Sequence, residues 1–151
     1  MQLHVYLSMT KPSDTTIDIW ISLSRSYQRI LCATEKSLKD TGLPPLAWYD
    51  VLLELDRVGK AGLRPFELQE KLLLPQYSLS RLLDKIRQAG YLDRLACDED
   101  GRGHRVVITR QGKIKRKAMW QVYGPALEQV IAERLNKKDS KELSKLLRYM
   151  K

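Results

Sequence analysis

Little in this 151-residue sequence supplies catalytic or metal chemistry. Its two histidines, His4 and His104, and its two cysteines, Cys32 and Cys97, make no metal-ligand motif. There is no G-x-S-x-G elbow and no P-loop, so neither an enzyme nor a bound cofactor is expected. No apolar run approaches the roughly 20 residues that span a bilayer. The N-terminus, MQLHVYLSMTKPSD, lacks a basic start and a long apolar stretch, so no secretory signal is read there. The chain is therefore expected in the cytoplasm, without a membrane partner and with both cysteines as free thiols. Internal repeats and low-complexity segments are absent as well.

What the sequence has is positive charge. Net charge is +9 and 43% of residues are hydrophobic, enough apolar material for a core and a balance that favours a polyanionic partner. The charge is uneven. Residues 1–60 carry seven basic and seven acidic side chains, residues 61–120 thirteen and seven, and residues 121–151 seven and four. The excess lies mainly in the middle of the chain.

Apolar spacing predicts a first helix from Thr15 to about Asp40, with Ile17, Trp20, Ile21, Tyr27, Leu31 and Leu38 recurring at helical intervals and Ser13 or Asp14 as cap. Thr41-Gly42 and Pro44-Pro45 end it. A second helix follows over Leu46–Val58, closed by Gly59 and Gly62. A third runs Pro65–Leu74, with Phe66, Leu68, Leu72 and Leu73 on its apolar side and proline in the favoured first position. A fourth extends from Gln76 or Tyr77 to Ala89, with Leu79, Leu82, Leu83 and Ile86 as its buried stripe. Tyr91–Ala96 and Arg105–Ile108 read as strands around the turn ACDEDGRGH. Thr109 caps a long helix, in which Gly124-Pro125 predicts a kink or short break. Asp139 or Ser140 is the expected cap of a last helix carrying Leu143, Leu146, Leu147 and Met150.

A basic helix followed at once by a basic hairpin suits duplex DNA. The major groove admits a helix, and a hairpin tip reaches the backbone or the neighbouring minor groove. The fold class expected is mainly α with a small antiparallel β wing, a winged helix-turn-helix flanked by N- and C-terminal helices. On the fourth helix, the hydroxyls of Ser78 and Ser80 suit phosphate oxygens and Arg81 suits the O6 and N7 of guanine. Lys85, one turn on, suits phosphate. Arg94 and Arg105 on the wing strands are read as backbone contacts or as surface charges. The run Lys113, Lys115, Arg116 and Lys117 cannot face one way, so part of it meets phosphate and the rest meets water.

The order of elements resembles the MarR family of bacterial transcriptional regulators. That family's recognition helix typically reads S-T-V-S-R-L-V-D-R-L-E-x-x-G-L-V-x-R, and residues 77–94 here, YSLSRLLDKIRQAGYLDR, follow it closely. Its wing carries D-x-R, a strand, then L-T-x-x-G; here Asp100-Gly101-Arg102 precedes Val106-Val107-Ile108-Thr109-Arg110-Gln111-Gly112. The chain departs from the pattern in the glycines on both sides of Arg102 and in Gly124-Pro125, which falls in what would be a continuous linking helix.

The resemblance implies a homodimeric repressor on a pseudo-palindromic operator in double-stranded DNA. Residues 46–112 would form the DNA-binding lobe, and residues 1–45 and 113–151 the dimerisation region. It implies that Arg102 enters the minor groove while Asp100 orients the wing. It also implies release by a small aromatic or phenolic effector, with Trp20, Tyr27, Trp48 and Tyr49 as candidate pocket residues and Cys32 as a candidate redox sensor. The alternative reading is a winged-helix protein-interaction module without specific DNA binding.

Overall fold

The computed structural model describes residues 11–72, 76–96 and 103–150, with Gln76 and Tyr77 described by backbone alone. Helix α1 spans Asp14–Asp40, α2 Leu46–Val58, α3 Pro65–Lys71 and α4 Gln76–Gln88. Strands β1 (Leu92–Ala96) and β2 (His104–Ile108) follow, then α5 (Arg110–Ala132) and α6 (Lys137–Arg148). No described helix is long and apolar enough to cross a membrane.

Local chemistry accounts for most boundaries. Ser13 Oγ accepts the Thr16 amide at 3.1 Å and caps α1. Pro45 has no side chain to cap α2, and the carboxylate of Glu35, reaching across from α1, accepts the Leu46 amide at 3.1 Å instead. Pro65 opens α3, where Glu67 accepts the Arg64 amide at 2.7 Å. That helix is shorter than its apolar pattern predicts: Leu72 is already extended, and it turns its side chain into the core. Phe66 likewise departs from expectation, being 58% exposed.

The strands pair antiparallel with Leu92 opposite Ile108 and Arg94 opposite Val106, and Leu63 bridges to Val106 as a short third segment. Two glycines make this corner possible. Gly62 has φ +62°, and a Cβ there would lie 2.6 Å from the Val106 carbonyl oxygen. A Cβ on Gly112 would lie 2.3 Å from the Tyr91 oxygen, so the start of α5 rests directly on the backbone ahead of β1. Thr109 locks the same junction, accepting the Gly112 amide at 3.0 Å and donating to the Gly90 carbonyl at 2.8 Å.

Two apolar clusters result. The larger joins α2, α3, α4 and the sheet through residues such as Leu52, Leu55, Leu68, Ile86, Leu92 and Val106. The smaller joins α1, α2 and α5 through Leu38, Tyr49 and Met119. Tyr49 stacks on Trp120 with centroids 5.9 Å apart and meets Tyr123 edge-on at 5.2 Å.

Two expectations about the C-terminal region are corrected. Helix α5 passes through Gly124-Pro125 without a break, with Pro125 inside it. Proline removes one ladder hydrogen bond, and the rest of the helix is held by packing on α1 and α2. Trp120 also uses the missing side chain at Gly124, where a Cβ would stand 3.1 Å from its indole. Helix α6 is capped by Asn136, whose side chain accepts the Asp139 amide at 2.9 Å, and not by Asp139 or Ser140. Asparagine one position before the helix offers its oxygen to the third helical amide; Asp139 itself lies within the first turn.

Candidate nucleic-acid interface

Helix α4 buries Leu79, Leu83 and Ile86 and turns its polar side outward. Arg81 stands opposite that buried stripe and Lys85 follows one turn later, both exposed. Neither side chain makes a hydrogen bond or ion pair within the described residues. Ser80 is exposed beside them and Ser78 is half-buried at the start of the helix. These side chains belong to one element held by its apolar face, so the cations are presented on a rigid support.

The wing is fixed to that support by its own arginines. Arg94 on β1 donates to Asp84 on α4 at 2.7 Å. Arg105 on β2 donates to the Ala61 carbonyl at 2.8 Å and the Gly62 carbonyl at 3.0 Å, and faces Glu67 at 3.5 Å. Both therefore position the hairpin against α4 and the Gly59–Ala61 turn. Arg102, with Asp100 and Cys97, lies outside the described residues.

The basic run after the wing is used differently from the expectation. Arg116 donates to Asp56 on α2 at 2.8 Å, and Lys113 reaches the same carboxylate at 3.5 Å. Lys115 stands 5.5 Å over the Tyr91 ring. Three of the four cations thus hold α5 to the lobe, and Lys117 alone points to water without a partner among the described residues. The helical spacing distributes these side chains around α5, and those on the inner side meet α2 and Tyr91.

The four aromatic residues expected to share a pocket do not come together. Trp48 packs edge-on against Tyr91 at 6.1 Å in the lobe core. Tyr49 is buried against α5, and Trp20 stands 71% exposed on α1. Of the four, only Tyr27 lines the cleft between the lobe and the terminal helices. That cleft has a volume near 510 Å³ and includes Glu35, Asp50, Glu54 and Tyr123, none of which the sequence reading named. The available signal was the pair Asp50 and Glu54, like charges four residues apart on one helix and so mutually repulsive. Partial burial first, then the charges of Glu54 and Glu35, hold the Asp50 carboxyl above the ordinary carboxylate range. Burial, then the charge of Asp50, raises the Tyr123 phenol. Cys32 is an exposed free thiol.

The sequence model of the MarR family matches residues 41–103. No curated protein matches the chain. Among solved structures, Sco3205 from Streptomyces coelicolor, a MarR family transcriptional regulator in complex with DNA, superimposes with a TM-score of 0.81 at 20% identity, over 93% of this chain and 88% of that one. MarR from E. coli in its apo form gives a TM-score of 0.75 at 23% identity, over 87% and 96%. A variant of that MarR complexed with operator DNA gives 0.78 at 23% identity, over 93% and 99%. Residues 41–103 thus resemble the MarR family in sequence, and the chain shares the winged-helix fold of these structures over most of its length.

Proposed function

We propose that the chain binds an operator in double-stranded DNA as a homodimer and represses transcription from it. The observation that carries this reading is the outer face of α4, where Arg81 and Lys85 stand exposed, without a side-chain partner among the described residues, beside a hairpin clamped to the same helix. In a major groove, Arg81 reads guanine, while Ser78, Ser80 and Lys85 hold phosphates. Arg102 carries the wing into the minor groove. Arg94 and Arg105 act at the wing's root, keeping its approach angle, with Arg94 close enough to the exposed face to share phosphate contact. The DNA-bound relatives of the same fold support the docking mode.

The dimer follows from exposed apolar surface. Ile17, Trp20 and Ile21 on one face of α1 and Leu143, Leu146 and Leu147 on α6 are between 37% and 71% exposed. Single exposed apolar side chains are ordinary, but two whole faces on terminal helices call for a cover, and a second copy supplies both. Residues 1–45 and 113–151 thus form the dimerisation region around the lobe at 46–112. Two lobes related by a two-fold axis read half-sites about 10 base pairs apart. A small organic effector in the cleft between lobe and terminal helices releases DNA by binding better to a dimer whose lobes are wrongly spaced.

Fluorescence anisotropy on operator fragments selected from genomic DNA tests the core of this. Arg81→Ala is expected to weaken binding by roughly 1–3 kcal/mol and to flatten base preference. Unchanged affinity and preference would remove α4 as the reading element and leave the lobe a protein-interaction module. Sedimentation showing a monomer at micromolar concentration would remove the dimer.

A further inference from the structure

The cleft between the lobe and the terminal helices differs in charge from the rest of the molecule. The chain as a whole is +9. Yet this cleft is lined by three carboxylates, Glu35, Asp50 and Glu54, against one lysine, Lys71. Its walls are otherwise apolar or aromatic, with Leu31, Leu46, Leu53 and Leu72 beside Tyr27 and Tyr123. A volume near 510 Å³ is within the range of about 300–1,000 Å³ usual for sites that enclose small organic molecules.

The carboxylates differ in what already engages them. Glu35 accepts the Leu46 amide, and Glu54 pairs with Arg57 at 2.7 Å. Asp50 makes no hydrogen bond or ion pair within the described residues. Its carboxyl and the Tyr123 phenol are both displaced toward their neutral forms, by burial and by neighbouring carboxylates. Burial is the first cause at both groups, and on both helices neighbouring carboxylates add to it. A carboxylate or phenolate ligand entering here meets repulsion; a cation meets three acids and two electron-rich rings.

We propose that this cleft selects a small lipophilic organic cation, an aromatic amine or quaternary onium, with Asp50 as its counter-charge and Tyr27 and Tyr123 as its ring walls. This rests on the reading of the cleft as an effector site and narrows the aromatic-or-phenolic class to cations.

Titration calorimetry with the intact protein, free of DNA, tests it with tetraphenylphosphonium, with the nearly isosteric anion tetraphenylborate, and with the smaller benzyltrimethylammonium. At least one of the two cations is expected to bind saturably. Asp50→Asn with Glu54→Gln is expected to weaken that binding roughly tenfold or more, and Asp50→Glu alone to retain most of it. Tetraphenylborate binding, if any, should be unchanged or strengthened in the double variant. Circular dichroism confirms that the variants fold. The proposal is overturned if neither cation binds, or if the double variant, folded, binds the cation as the wild type does. A cation that binds as expected but leaves operator DNA bound would uphold the site and refute only its role as a release switch.

Discussion

Asp56 is the hinge pin between the lobe and the long helix α5, and its removal should be felt as lost stability. Its carboxylate accepts Arg116 Nε at 2.8 Å and stands 3.5 Å from Lys113, with the Asp56 and Arg116 side chains only 20% and 17% exposed. Exposed ion pairs are worth about 0–1 kcal/mol, whereas removing one partner of a buried pair costs about 3–5 kcal/mol because a desolvated charge is left alone. A pair at this depth falls between those limits, so Asp56→Ala should cost about 2 kcal/mol. With a urea slope of about 1–3 kcal/mol per molar, the unfolding midpoint drops by roughly 1 M. The comparison is made at fixed protein concentration, because a dimer's midpoint depends on it. Arg116→Met with Asp56→Ala should lose less than the two single changes added together, since the second deletion removes the charge the first has stranded. The fully exposed pair Lys36–Asp40 supplies the control. If Asp56→Ala shifts the midpoint no more than Asp40→Ala does, the bridge does not hold α5 to α2 and the reasoning fails.

Other outcomes follow from the same contacts. Gly112→Ala drives a methyl against the Tyr91 carbonyl oxygen, and should cost about 2–3 kcal/mol in urea unfolding. Asp50→Asn should raise Tm at pH 7. The native carboxyl is held above its unfolded value, so the penalty for ionising it is absent below that value, grows as pH rises through the folded value and is complete above it; at pH 3 the gain should vanish. Trp20→Ala with Leu147→Ala removes apolar area from both exposed terminal faces, and should shift sedimentation toward monomer while leaving the lobe folded by circular dichroism.

The lobe was legible because its signals are local. Pro65 opens α3, Gly90 follows α4, the leucines of α4 keep helical period, Thr109 has the spacing of a cap, and α2 begins after Pro45 and ends before Gly59 as its periodicity placed it. The terminal helices were legible only in outline. Whether Gly124-Pro125 breaks a helix depends on how firmly α5 is held by α1 and α2, which periodicity does not report. Whether Asn136 or Asp139 caps α6 turns on a difference of three residues between two good capping side chains. The interface split along the same line. The exposure of Arg81 and Lys85 was legible because a position opposite an apolar stripe follows from spacing alone. The duties of Arg105, Arg116 and Lys115 were not, because their partners, Gly62, Asp56 and Tyr91, lie 43, 60 and 24 residues away in the chain. The cleft was missed for that reason too. It takes residues from four helices, and the aromatic side chains chosen for it share chemistry but not location.

The claim on which the account depends is that the outer face of α4 grips a polyanionic duplex. The most direct test is the dependence of operator affinity on salt, for the wild type and for Arg81→Ala with Lys85→Ala. Log affinity is expected to fall linearly with log salt for the wild type; in the double variant the slope is smaller by about one, the share of the Lys85 phosphate contact, and affinity falls further with the loss of Arg81 from the base edge. A wild-type chain that ignores duplex DNA at low salt, or a double variant with the wild-type slope and affinity, would contradict it.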